Sequence, residues 1–189
     1  MTALDRDRLE AGLRDLIARL HETGQPATVA LVGGAALALR YFDRRITTDI
    51  DARITPAGPV LALATEIADA RGWDSDWLNT AAAQFIPGLG RDPVWEPLYQ
   101  DDTVTVAVAS AETLLAMKLH AARPNRDNND IATLMTLTGA TTLDAAEELY
   151  EAFYPGDALT DRALRLVTGL LTTGLPPQPA PVDPARLAP

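Results

Sequence analysis

Apolar positions recur at helical spacing from the start of the chain. Leu9, Leu13, Leu16, Ile17 and Leu20 fall on one face of a helix predicted over 4–23, and Gly24 suits its C-terminal cap. The pattern then changes. Residues 27–32, ATVALV, are a short apolar run suited to a buried strand. Gly33 and Gly34 break it, and 35–42, AALALRYF, predicts a short helix. Over 49–54, DIDARI, polar and apolar residues alternate as in a half-buried strand. Another helix is expected over 59–71 and a strand over 103–108, TVTVAV. The intervening 73–102 reads as short strands and loops. Its tryptophans, Trp73, Trp77 and Trp95, are assigned to packing, with base stacking as the alternative. Three or four helices follow, at about 110–122, 128–138, 143–153 and 160–172. The last 15 residues contain six prolines and predict an extended, disordered tail, with docking on a partner chain as the alternative. There is no internal repeat.

This order places an N-terminal helix and a mixed strand-and-helix core in 1–109. A helical portion of the same unit follows in 110–174, then a Pro-rich tail in 175–189. A chain of 189 residues, 47% hydrophobic and 22% charged, has the composition of a globular protein. It contains no cysteine, which excludes disulfides and thiolate metal sites. His21 and His120 are its only histidines, which argues against a histidine-built zinc site. The expected metal is a hard cation held by carboxylates, Mg²⁺ or Mn²⁺. The N-terminus is charged within five residues, unlike a signal peptide. No apolar run approaches the roughly 18 residues a membrane span needs. No membrane partner is expected, and the expected location is the cytoplasm. The formal net charge of −10 disfavours non-specific nucleic-acid binding but leaves room for a local basic patch.

Alternation at 49–54 carries chemistry as well as structure. Residues i and i+2 of a strand share a face, so Asp49, Asp51 and Arg53 project together while Ile50, Ala52 and Ile54 face the core. Two adjacent carboxylates repel, and a cation between them relieves the repulsion. A divalent ion held so can bridge phosphate oxygens. Charges on an exposed strand face are common, so the upstream context matters. Gly33 and Gly34 directly follow a buried strand and open a helix. Their N–H groups suit an anion such as a triphosphate, or they form only a tight turn. Arg40, Arg44, Arg45 and Arg53 surround the pair. They either contact phosphate or form ordinary surface ion pairs.

Further along, Lys118 lies four residues after Leu114 and four before Ala122, within an apolar helical stripe. A lysine there must snorkel outward or meet an anion. Asp130, four before Leu134 and seven before Leu137, shows the same anomaly with opposite sign. The two form a buried ion pair, or close a site with Asp49 and Asp51, or both. Asp127 reads as the N-cap of helix 128–138. Arg123 and Arg126, between the helices, either hold triphosphate or RNA or stay solvated. His120 falls on the other side of its helix from Lys118 and is not proposed as a base.

Residues 31–54, LVGGAALALRYFDRRITTDIDARI, resemble the first motif of the nucleotidyltransferase superfamily: an apolar residue, Gly-Gly or Gly-Ser, a helix, then Asp-apolar-Asp. Residues 114–134, LLAMKLHAARPNRDNNDIATL, resemble the second signature of its AbiEii-like branch, which includes the MenT toxins. Together they cover about a quarter of the chain. The resemblance implies an α+β fold, a mixed sheet flanked by helices with a helical C-terminal portion. It implies that Asp49 and Asp51 bind the metal, that Lys118 and Asp130 complete the catalytic site, and that Gly34 with Thr47 or Thr48 lines the nucleotide phosphates. It further implies a nucleoside triphosphate substrate, transfer to the 3′ end of tRNA, and a toxin role with a cognate antitoxin protein. Transfer to a protein or small molecule, and a non-catalytic nucleotide- or partner-binding member, are the rival expectations. Two features depart from the pattern. Gly34 stands where many members have Ser, and the strand 103–108 carries Thr103 and Thr105 where the wider superfamily has a third carboxylate. Asp130 takes that place in this branch.

Overall fold

The computed structural model describes residues 3–42 and 46–188. The fold is α+β, with a five-stranded mixed sheet and seven α-helices among the described residues. It divides into two compact units. The first comprises Met1–Gln84, Trp95–Ala109 and Pro181–Pro189, and the second Phe85–Val94 and Ser110–Ala180. No helix is long and apolar enough to cross a membrane, among the described residues.

The first unit holds α1 (Arg6–Thr23), β1 (Ala27–Val32), α2 (Gly33–Arg40), β2 (Ile50–Thr55), α3 (Ala57–Arg71), β3 (Leu78–Asn79), β4 (Trp95–Gln100) and β5 (Val104–Ala109). The apolar stripe of α1 is buried, from Leu9 to Leu20. Asp5 caps its start by accepting from the Arg8 amide, and Gly24 ends it at φ 63°. The strands are ordered β3-β2-β1-β5-β4. β1 runs antiparallel to β2 and parallel to β5, so the central strands draw on distant parts of the chain. β4 closes one edge antiparallel to β5, and β3 adds a short parallel pairing to β2 at the other. Burial along β2 alternates as the sequence pattern requires: Ile50, Ala52 and Ile54 are buried, Arg53 and Thr55 exposed, Asp51 half-buried. Trp77 is buried and donates its indole N–H to the Ala64 carbonyl at 2.8 Å, and Trp73 meets it edge-on. Both pack against Gly12 of α1, whose missing side chain makes room for the rings.

The proline-rich end departs from the disordered tail expected. It has neither helix nor strand, but Ala185 and Leu187 are buried and the Ala185 amide donates to the Leu39 carbonyl at 2.9 Å. Arg6 donates to the Asp183 carbonyl and Arg14 to that of Arg186. Proline forbids regular ladders yet leaves carbonyls free to accept, and α1 supplies the arginines that use them.

The second unit packs α4 (Ala111–Ala121), α5 (Asn128–Thr138), α6 (Leu143–Phe153) and α7 (Asp161–Thr173). Ser110, Thr142 and Thr160 cap α4, α6 and α7 by accepting from the amide three residues on. Residues 85–94 belong here: the Arg91 amide donates to the Ala152 carbonyl, and Tyr154 Oη donates to the Phe85 carbonyl, each at 2.6 Å.

Candidate functional site

In the first unit, the turn from β1 into α2 meets β2. Gly33 begins α2 at φ +67°, a left-handed conformation that glycine adopts without steric cost. A Cβ there would stand 3.3 Å from Asp51 Oδ2, so the carboxylate lies directly against the glycine backbone. Val32, at the N-cap position, has no polar side chain, and no side-chain bond caps α2. Helix-start amides left uncapped in this way are suited to an anion.

Asp49 lies one residue before β2, rather than within the strand as the alternation predicts. Thr48 Oγ1 donates to its Oδ1 at 3.1 Å and Asn79 Nδ2 to its Oδ2 at 3.3 Å. Asn79 is also the register partner of Asp51. One side chain thus reaches Asp49 from the position paired with Asp51, which puts both aspartates on one face. Thr47 is tied by its backbone to Leu4, and its hydroxyl donates to the Asp49 carbonyl at 3.2 Å. Sequence reasoning missed Asn79. An isolated Asn beyond a tryptophan carries no signal until the β2–β3 register is known.

The flanking arginines divide. Arg40 Nε donates to Glu96 at 2.6 Å, the ion-pair alternative, and the guanidinium of Arg53 lies over the Trp95 ring, 5.0 Å from its centroid. Arg44 and Arg45 lie outside the described residues. Among the described residues no group of three or more His, Asp or Glu side chains gathers as a metal cage. Asp49 and Asp51 are a two-carboxylate set of hard oxygen donors. That chemistry would suit a hard divalent cation such as Mg²⁺ or Mn²⁺.

In the second unit, Lys118 is buried and Nζ donates to Asp127 Oδ1 at 2.6 Å and Asp130 Oδ2 at 2.8 Å. The Lys118–Asp130 ion pair is therefore present, with Asp127 as a third member. Asp127 does not act as the N-cap the sequence suggests. It stands at that position with φ −103° and ψ −6°, and its side chain makes no cap bond. An N-cap residue normally has extended backbone that brings its oxygen over the next amides. Here the carboxylate is drawn to Lys118 and to the Arg123 backbone and guanidinium, with Nε 2.9 Å from Oδ2. Burial opposes ionisation of Asp127. The hydrogen bonds and positive charges of Arg123 and Lys118 outweigh it and hold the carboxyl below the usual aspartate range. Arg126 is exposed. His120 engages Tyr150 through Nδ1 at 3.0 Å and stacks on Tyr154 with centroids 4.6 Å apart. Burial raises the pKa of both tyrosines.

Residues 9–165 match the family described as a nucleotidyltransferase of unknown function, DUF6036. No curated protein and no solved structure matches the chain.

Proposed function

Because the chain belongs to this nucleotidyltransferase family, we propose that it moves a nucleotide from a nucleoside triphosphate to the 3′ end of a tRNA. We read it as an AbiEii-like, MenT-like toxin acting in the cytoplasm and restrained by a cognate antitoxin protein. The observation that carries the chemistry is Asp51 lying against Gly33 at the uncapped start of α2, with Asp49 on the same face. The tRNA acceptor and the toxin role rest on the resemblance of 31–54 and 114–134 to that branch.

In this reading Asp49 and Asp51 hold Mg²⁺ or Mn²⁺, which supplies neutralising charge for the phosphates when bound. Thr48 and Asn79 fix the rotamer of Asp49. The first amide N–H groups of α2, at Gly33 and Gly34, donate to the triphosphate, and the segment leading into Asp49 supplies Thr47, Thr48, Arg44 and Arg45 as further phosphate contacts. An acceptor hydroxyl attacks the α-phosphorus, a new P–O bond forms, and the bond to the leaving pyrophosphate breaks. The hydroxyl proton passes to solvent. The resemblance assigns Lys118 and Asp130 to the catalytic set as well. In the second unit Asp130 and Asp127 hold the Lys118 ammonium in place, and Asp127 also holds the Arg123 guanidinium.

The test is incubation with each α-labelled ribonucleoside triphosphate, Mg²⁺ or Mn²⁺, and total tRNA. Label at the tRNA 3′ end that disappears with Asp49→Ala supports the proposal. Label on protein or a small molecule instead would keep the transfer and reject the acceptor. Wild-type transfer no greater than that of Asp49→Ala on any acceptor would reject the activity.

A further inference from the structure

The face of the sheet that carries Asp51 also carries a joined arginine and tryptophan, and neither motif accounts for them. Arg53 pairs with Ala30, Ala30 with Ala107, and Ala107 with Pro97, while Trp95 sits two residues before Pro97. Register partners share a face, as do residues i and i+2, so Arg53 and Trp95 project from the same side as Asp51. Their strands, β2 and β4, are separated by β1 and β5, about 14 Å of backbone at ordinary strand spacing. The guanidinium nevertheless reaches to 5.0 Å from the indole centroid. Ala30 and Ala107, the register neighbours of Arg53 on the two intervening strands, are both buried and carry only methyl groups. Arg53 is exposed and Trp95 half-buried, so the pair is solvated and exchangeable rather than part of the core.

We propose that Arg53 and Trp95 form the subsite for the nucleobase of the bound nucleoside triphosphate. The inference rests on the reading above that Gly33 and Asp51 mark the phosphate end. Arg53 is two residues along β2 from Asp51, roughly 7 Å. A nucleotide whose phosphates lie at Gly33 therefore brings its base, one ribose away, over the guanidinium and the indole. Both planes stack on a base, and stacking of this kind tolerates any base identity because each has a π-face. The subsite adds affinity without strict base selection.

Calorimetric titration of the full chain in Mg²⁺ with the four ribonucleoside triphosphates, and separately with inorganic tripolyphosphate, tests this. Trp95→Leu is expected to weaken all four nucleotides about tenfold and leave tripolyphosphate within about twofold. Trp95→Phe, which keeps a stacking face, is expected to restore most of the nucleotide affinity. Equal weakening of nucleotides and tripolyphosphate by Trp95→Leu would make the residue a structural support and overturn the proposal, as would no weakening of either. A wild-type chain that binds neither probe would instead remove the phosphate-site reading, and this inference with it.

Discussion

Lys118 is the residue whose replacement most sharply tests how the second unit is held together. Its ammonium serves two buried carboxylates, at 2.6 Å and 2.8 Å, with side-chain exposures of 7% for Lys118, 0% for Asp127 and 8% for Asp130. Lys118→Met keeps most of the side-chain volume and removes the charge. Two carboxylates then share a buried pocket, with Asp127 keeping the Arg123 guanidinium, itself 47% exposed. Removing one partner of a buried ion pair costs about 3–5 kcal/mol, chiefly because the other charge is left uncompensated. We expect a loss in that range at pH 7, measured by urea unfolding followed by far-UV circular dichroism. The pH dependence gives an independent sign. In the wild type the Asp127 carboxyl is held below its ordinary value. Its contribution is therefore complete above about pH 4 and lost as pH falls through the lower folded pKa. In Lys118→Met, burial without the ammonium raises the folded pKa of the Asp127 carboxyl. Its contribution is then complete below about pH 4 and lost as pH rises through the folded value. The stability gap between the two proteins should narrow from pH 7 to pH 4.5. A loss below about 1 kcal/mol, or a gap that widens on acidification, would refute the buried-charge account.

Three further outcomes are expected. Gly33→Ala places a Cβ at φ +67° and 3.3 Å from Asp51 Oδ2. It should cost about 1–2 kcal/mol in thermal unfolding and lower nucleotidyl transfer, whereas unchanged transfer would separate Gly33 from the site. Gly12→Ala brings a methyl to 2.8 Å from both Trp73 and Trp77 ring carbons, and should destabilise by about 1–3 kcal/mol in chemical denaturation. Leu187→Ala empties a fully buried position in the proline-rich end and should cost about 2–5 kcal/mol. No change in the unfolding midpoint would mean that the end is not docked.

What the chain's pattern revealed, and what it concealed, follows from the range of the interactions involved. β1, α5 and α6 fall at the predicted residues because each is specified locally, by an apolar run or a 3.6-residue period between clear stops. Gly33 and Asp51 were legible as candidates because each breaks a local rule, a glycine at a helix start and a charge on a half-buried strand, and the structure sets them side by side. Lys118 and Asp130 stood out for the same reason, as charges within apolar stripes. The roles of Asp127 and Asn79 were not legible, because each is defined by a partner elsewhere in the chain. Asp127 satisfies the N-cap pattern in sequence, yet an ammonium nine residues earlier offers it more than the amides of α5 do. Asn79 acquires meaning only through the parallel pairing of β3 with β2. The Arg53–Trp95 contact needs four strands in register before it exists at all. The alanines between them in register look ordinary in sequence, since a strand interior more often favours β-branched residues and an alanine there signals only a weak strand. Their small size becomes informative once the register places them between Arg53 and Trp95. The same reasoning explains the proline-rich end. Proline content forecasts its lack of regular structure correctly, but its docking depends on arginines of α1 more than 170 residues earlier.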